Sequence, residues 1–255
     1  MRLILFWCIL STIVVIATSL RLYVYDHCPF CVRVRLAFGL KGIKHDLRFL
    51  LNDDVDTPTK LVGKKVVPIL EIPNKLAMPE SFDIIKMIDQ DTTYPNPNMF
   101  KPLSSRSDLN DWQNRVGDIN RKLQRPRYMK VLLPEFSTQD ARDTYVKNHP
   151  LPGFTSDQWK ETLSNNERWT RYNACLDEST SLIKQINEAL LELNEMIYCK
   201  EYCTVGGVSL DDIDLFARLR SLTIVKGINL PPKVREYMSY MSEKGDILLY
   251  DSLAC

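Results

Sequence analysis

The feature that most restricts how this chain can fold is a change of hydrophobic period near residue 91. Upstream of it, strand-like and helix-like runs alternate. "LYVY" is β-branched and aromatic, and "VRVRLAFGLKG" carries Val34, Ala37, Phe38 and Lys41 at helical spacing, with Gly42 as the stop. "HDLRFLL" reads as a second strand and "DTPTKLVG" as a short helix with Thr57 as cap and Pro58 at its first position. "VVPILEI" is a third strand, "KLAMP" a brief fourth, and "SFDIIKMIDQ" a closing helix. The intervening helix makes the first two strands parallel in this β-α-β-α-β-β-α order. The stretch Asp91 to Pro102, "DTTYPNPNMFKP", holds three prolines and no period, which marks a linker. Beyond it only helical patterns occur. Leu182, Ile186, Leu190, Leu193 and Ile197 keep one apolar stripe. Ser209 and Asp212 have capping-box spacing ahead of a run with Leu210, Ile213, Leu215, Phe216, Ala217 and Leu219 on nearly every side, as in a buried central helix. The expected division is an apolar segment at 1–20, an α/β domain at 21–91, a linker at 92–102 and an all-helical domain at 103–255.

The 33 basic and 32 acidic residues leave a formal charge of +1, so nothing electrostatic points to nucleic acid or an acidic membrane as partner. Seven cysteines among 255 residues are too few for a disulfide scaffold and odd in number, which favours a reducing compartment with mostly free thiols. The first twenty residues have one arginine and then eighteen uncharged positions. That is borderline length for a membrane span, while Ala17-Thr18-Ser19 fits a signal-cleavage site. The remaining possibility, and the one expected here, is an upstream extension, with the protein cytoplasmic. The alternative is a membrane anchor through residues 3–20.

Cys28 and Cys31 in "HCPFC" pose a choice between metal, staple and redox chemistry. Two ligands are half of a structural zinc site; Cys199 and Cys203, read as one helical turn apart, lack knuckle spacing. A permanent bridge across so small a loop would constrain the unfolded chain little. Position favours the third reading. Cys28 follows a strand where a helix begins, with Pro29 at the first helical position, so free N–H groups and the helix dipole favour a thiolate. Cys31, one turn deeper, is placed to attack a bond at Cys28.

"YDHCPFC" after the first strand, "VVPIL" before a hairpin and "MPESFDII" opening the next helix resemble glutaredoxins. With "LLNDDVDTPTKLVGKKVVPIL" and "SLDDIDLFARLRSLT", the chain from Leu20 nearly to its end is similar to the two-domain bacterial glutaredoxins of the glutaredoxin 2 type. The resemblance implies a thioredoxin-like α/β domain and an all-α domain in a glutathione-transferase-like architecture. It implies a glutathione-dependent thiol–disulfide oxidoreductase with Cys28 as nucleophile and Cys31 as resolving thiol. Pro68 would be the cis-proline that presents the backbone of Val67 to the cysteinyl part of glutathione. Glu80 and Ser81 would receive the γ-glutamyl group, Ser81 also capping its helix.

Glutathione is thus expected as co-substrate, without metal or flavin. The implied partners are glutathionylated and disulfide-containing proteins, with glutathione reductase acting indirectly on a monomeric enzyme. Nucleic acid is not expected, and a membrane only if residues 1–20 are an anchor. A cysteine-type glutathione transferase of omega-like character is the alternative. Among other residues, His27 reads as a loop residue packed beside the site, and Arg33, Arg35 and Lys41 as the solvated face of the first helix. Asp53, Asp54 and Asp56 read as a loop leading into a capped helix. Cys175, Cys199, Cys203 and Cys255 carry no expected catalytic role.

Overall fold

β1 (Arg21–Val24) is central and short, and α1 (Pro29–Lys41) follows it after a four-residue loop in a computed structural model that describes residues 19–255. The expectations for the apolar N-terminal segment therefore lie, up to residue 18, outside the described residues. The order continues with β2 (Asp46–Phe49), α2 (Asp56–Val62), β3 (Ile69–Glu71), β4 (Met78–Pro79) and α3 (Ser81–Gln90). The strands form one sheet in the order β2-β1-β3-β4. β1 and β2 are parallel, with Leu22 opposite Leu47, and β3 runs antiparallel to β1 and to β4. The alternation read from the sequence is the alternation found.

Six helices follow: α4 (Ser107–Tyr128), α5 (Gln139–Asn148), α6 (Asn165–Asp177), α7 (Ser179–Met196), α8 (Leu210–Arg220) and α9 (Pro232–Gly245). The α7 stripe is buried as expected, and the Ser209–Asp212 capping box at the start of α8 is present. No helix among the described residues is long and apolar enough to cross a membrane.

The helix that Cys28 caps and Cys31 belongs to, α1, joins the two halves of the molecule. It touches α3 within its own sheet layer and α8 and α9 of the helical part. Being covered on nearly all sides, it buries charged residues too. Gly39 makes this possible, since a Cβ there would overlap the carbonyl oxygen of Gly245 in α9. Two backbones meet at a distance that only glycine allows. Gly42 ends the helix in the left-handed conformation at φ 67°, as the sequence predicts.

Three local expectations are corrected. Arg33, Arg35 and Lys41 are not a solvated face. Lys41 is 1 % exposed, and its Nζ donates to Asp89 Oδ1 at 2.9 Å and to the Asn96 carbonyl at 2.5 Å. Arg33 pairs with Asp214 of α8, and Arg35 with Asp26. The periodicity of one helix cannot reveal a second layer of helices covering its polar side. In α2, Asp56 is the first helical residue. Asp54 rather than Thr57 does the capping, its Oδ1 accepting the Thr57 N–H at 2.9 Å. Cys199 and Cys203 lie beyond α7 in a tight turn closed by Cys199 N–H to the Tyr202 carbonyl, not on one helix.

The proline-rich stretch after α3 is fixed in place rather than free. The Asp89 carboxylate accepts the N–H groups of Met99 and Phe100 at 2.9 and 3.2 Å, and Lys101 exchanges backbone bonds with the segment entering α8.

Candidate active site

Cys28 occupies the N-cap position of α1, in extended conformation, with Pro29 as the first helical residue and no acidic side chain in the first turn. It is half-buried, whereas Cys31 has no exposure. The Cys31 thiol hydrogen-bonds to Cys28, and that bond does most to pull the Cys28 thiol down from its ordinary value, to about 7. Burial opposes the shift; the His27 imidazole and the N–H groups of Cys31 and Phe30 add to it. The Cys31 thiol moves the opposite way, pushed well up by burial and by its neighbour's developing charge. Its sulfur accepts the Tyr25 N–H at 3.4 Å. One sulfur is therefore poised as a thiolate near neutral pH, and the other is held as a thiol behind it.

The loop before Cys28 is clamped by the helical part of the chain from two directions. Asp26 receives Arg220 Nη2 at 3.0 Å, the Tyr250 hydroxyl at 2.7 Å and Arg35 Nη1 at 2.6 Å. Burial would raise its carboxyl, but the Arg220 and Arg35 guanidiniums outweigh that and hold it at about 2. His27 is fixed by Glu135, which is fully buried in the 3-10 turn Pro134–Phe136. One carboxylate oxygen accepts both the His27 backbone N–H at 2.8 Å and ring Nδ1 at 2.5 Å. Tyr25, Tyr128, Phe136, Tyr145 and His149 surround the His27 ring. His27 is thus packed beside the site, as expected, and held by a carboxylate that no local sequence pattern could assign to it.

Cys28 opens onto a cleft of about 730 Å³ between the sheet-bearing and helical parts. One side is formed by Tyr25, Cys28, Phe30, Asn52, Lys65 and Val67, and the other by residues of α4, α5 and α8. The Val67–Pro68 peptide is cis, in the loop entering β3. Among the described residues, neither the N–H nor the C=O of Val67 has a backbone partner.

Glu80 and Ser81 are not on the wall of this cleft; they stand at the junction of β4 and α3. Glu80 is the N-cap residue, at φ 71°, and its exposed carboxylate meets Lys64 Nζ at 3.1 Å. Ser81 is the first helical residue and is buried. Its hydroxyl makes no cap hydrogen bond, contrary to the expectation, because Glu80 rather than Ser81 holds the N-cap position. It lies 3.4 Å from Arg33 Nη1 as that donor's acceptor. The same guanidinium sits over the rings of Phe30 and Phe82 at 4.7 and 4.5 Å, which links Ser81 to the cleft edge through Phe30.

Sequence reading missed the helical wall. Arg121, Gln124, Arg125 and Tyr128 of α4 line the cleft. Their i, i+3, i+4, i+7 spacing was visible, but a polar stripe with that spacing reads as solvent-facing unless a second domain is known to face it.

Residues 108–254 match the family described as glutaredoxin 2, C terminal domain, and residues 27–91 the glutathione S-transferase N-terminal domain. The chain is 39 % identical over 238 residues to glutaredoxin 2 of Escherichia coli (strain K12), covering 92 % of this chain and all of that protein. The chain belongs to the glutaredoxin 2 family. As a glutaredoxin it is a glutathione-dependent thiol–disulfide oxidoreductase, and the omega-like transferase alternative is not favoured. The solved glutaredoxin 2 of Salmonella typhimurium, in complex with glutathione, superposes with a TM-score of 0.80 at 34 % identity, over 94 % of this chain and all of that one. A glutathione S-transferase from Rhodospirillum rubrum F11 shares the fold at a TM-score of 0.53 and 13 % identity, over 92 % of this chain and 91 % of its own.

Proposed function

We propose that Cys28 is the attacking thiolate and Cys31 the resolving thiol. With a glutathionylated protein, the Cys28 thiolate forms a bond to the glutathionyl sulfur. The protein–glutathione S–S bond breaks, and the protein thiolate leaves to take up a proton. A second glutathione thiolate then attacks the sulfur bound to Cys28, releasing oxidised glutathione and regenerating the Cys28 thiolate. With a protein disulfide, Cys28 forms a mixed disulfide and Cys31 displaces the substrate. Two glutathiones then reduce the Cys28–Cys31 bond. A thiol near 7 suits this cycle, since a much lower value would cost nucleophilicity and a higher one would leave too little thiolate.

The observation that carries this reading is the asymmetry of the pair, a half-buried Cys28 at a helix N-terminus facing the cleft and a fully buried Cys31 behind it. Glutathione is the co-substrate, the ligand with which the Salmonella relative was solved. Its cysteinyl backbone would pair with the N–H and C=O of Val67 beside Pro68. Its γ-glutamyl carboxylate would meet the Ser81 hydroxyl and the free N–H groups of the first turn of α3, with Glu80 taking the ammonium. The working division is 21–91 for redox chemistry, 92–102 for connection and 103–255 for the facing wall. The enzyme acts as a cytoplasmic monomer on glutathionylated and disulfide-containing proteins, with glutathione reductase recycling the oxidised glutathione.

Cys31→Ser is expected to keep deglutathionylation and to slow protein-disulfide reduction by at least tenfold, whereas Cys28→Ser abolishes both. Coupling each reaction to glutathione reductase and NADPH measures this. Equal loss of both activities in a folded Cys31→Ser variant would overturn the division of roles.

A further inference from the structure

We propose that the helical wall of the cleft selects protein substrates whose reacting cysteine is flanked by acidic residues, with Arg121, Arg125 and Arg218 receiving the aspartate or glutamate side chains. This deepens the reading of Cys28 as nucleophile and rests on it.

The cleft is lined by four cations, Lys65, Arg121, Arg125 and Arg218, and by no aspartate or glutamate, in a chain whose overall charge is only +1. Lys65 belongs to the sheet side; the three arginines face it from α4 and α8. Their existing partners do not neutralise them. Arg125 Nη1 donates to the Pro150 carbonyl, and among the described residues no carboxylate lies within ion-pair distance of it. Arg218 Nε reaches Asp214 Oδ2 at 2.8 Å, but that carboxylate also holds Arg33, so two guanidiniums share one negative charge. Arg121 pairs with Asp118 one turn back, whose side chain is 66 % exposed and weakly held.

The cations also stand in the right place. Arg121 and Arg218 border both the main cleft and a smaller recess that reaches Pro29, the residue after Cys28. A substrate disulfide at Cys28 therefore has its flanking residues against this wall. The buried rings of Tyr128 and Tyr145, which line the same cleft, provide a low-dielectric wall that focuses the positive field into it. A guanidinium offers paired donors that match a carboxylate. The glutathione carboxylates are the rival occupant, so the test measures both.

The probes are three peptides of equal length, each with one glutathionylated cysteine, flanked by glutamates, glutamines or lysines. The deglutathionylation kcat/KM is measured for the wild-type chain and for the double variants Arg125→Gln/Arg218→Gln and Arg125→Glu/Arg218→Glu. The glutathione KM is measured alongside, and melting curves establish folding. Each half-exposed charge pair changes the rate about two- to fivefold. The wild-type chain is expected to prefer the glutamate peptide over the lysine peptide by about tenfold at low salt, and less at high salt. The preference is expected to fall to about twofold, the share left to Arg121, in the glutamine variant and to invert in the glutamate variant. An unchanged ratio across the three enzymes overturns the proposal, as does a raised glutathione KM with the peptide ratio intact. If the wild-type chain turns over all three peptides at one rate, the nucleophile reading stands and this proposal alone falls. If it turns over none, both fall.

Discussion

Replacing Cys31 by alanine tests the cause of the low Cys28 pKa. The Cys31 thiol hydrogen bond is the largest influence drawing Cys28 to about 7, and alanine removes the donor while leaving His27 and the helix N–H groups in place. A hydrogen bond to a charged acceptor is worth about 1.5–3 kcal/mol, which corresponds to a rise of roughly 1–2 units. With a rise of about 1.5, the thiolate fraction at pH 7 falls from about one half to about 3 %. The thiolate that remains is more nucleophilic by about fivefold, given a Brønsted slope of about 0.4–0.5. Together these predict a reaction about threefold slower at pH 7 and about fivefold faster on the alkaline plateau, with the two profiles crossing near about pH 7.8. The assay is a timed pulse with a small uncharged disulfide, acid quench, and peptide mass analysis. Site resolution is needed because Cys255 is exposed and Cys199 partly so. Cys31→Ser keeps a donor, so its midpoint should stay near that of the wild-type chain.

Stability supplies an independent readout of the same bond. The folded Cys28 value is depressed below the ordinary thiol value of about 8.5, so its contribution of up to about 2 kcal/mol is present above that pH and lost as the pH falls through about 7. Above about 8.5 the raised Cys31 works in the opposite sense, which makes pH 7 to 8.5 the window for comparison. In Cys31→Ala the rise in stability across that window should shrink. A Cys31→Ala profile that kept its midpoint at about 7 in a folded protein would refute the reasoning and assign the shift to His27 and the helix terminus.

Ser81→Ala should weaken apparent glutathione affinity by roughly ten- to a hundredfold, from the loss of one charge-assisted hydrogen bond, as read from turnover against glutathione concentration. Its melting temperature should fall only slightly, because the hydroxyl makes no cap bond and accepts only one long bond, from Arg33 Nη1 at 3.4 Å. Gly39→Ala should cost about 3 kcal/mol in chemical denaturation, since its Cβ meets backbone of α9 rather than a movable side chain; a neutral result would mean that α1 and α9 are not held this close. Glu135→Ala should destabilise the fold by about 2–4 kcal/mol through the two orphaned His27 donors, measured by melting at pH 7.

By itself the sequence determined the order of elements in the α/β part and pointed to a cysteine pair at a helix start. The run from "LYVY" to "SFDIIKMIDQ" specifies strands and helices through patterns a few residues long, and the elements follow one another along the chain in that order. The Ser209–Asp212 box and the Gly42 stop are legible for the same reason, because capping is a contact between residues three or four apart. Cys28 and Cys31 could be read as a redox pair because a helix N-terminus is itself a local object. What lies far apart along the chain was decided only by tertiary packing. His27 meets Glu135 across 108 residues, Arg33 meets Asp214 across 181, and Asp26 meets Arg220 across 194. The polar residues of α1 looked solvated because nothing within that helix signals that α3, the linker, α8 and α9 cover it. The arginines of α4 went unassigned for the same reason. Burial, and with it the charge state and partners of these groups, depends on which surfaces the whole chain brings together, and the spacing of residues within one helix carries no information about that.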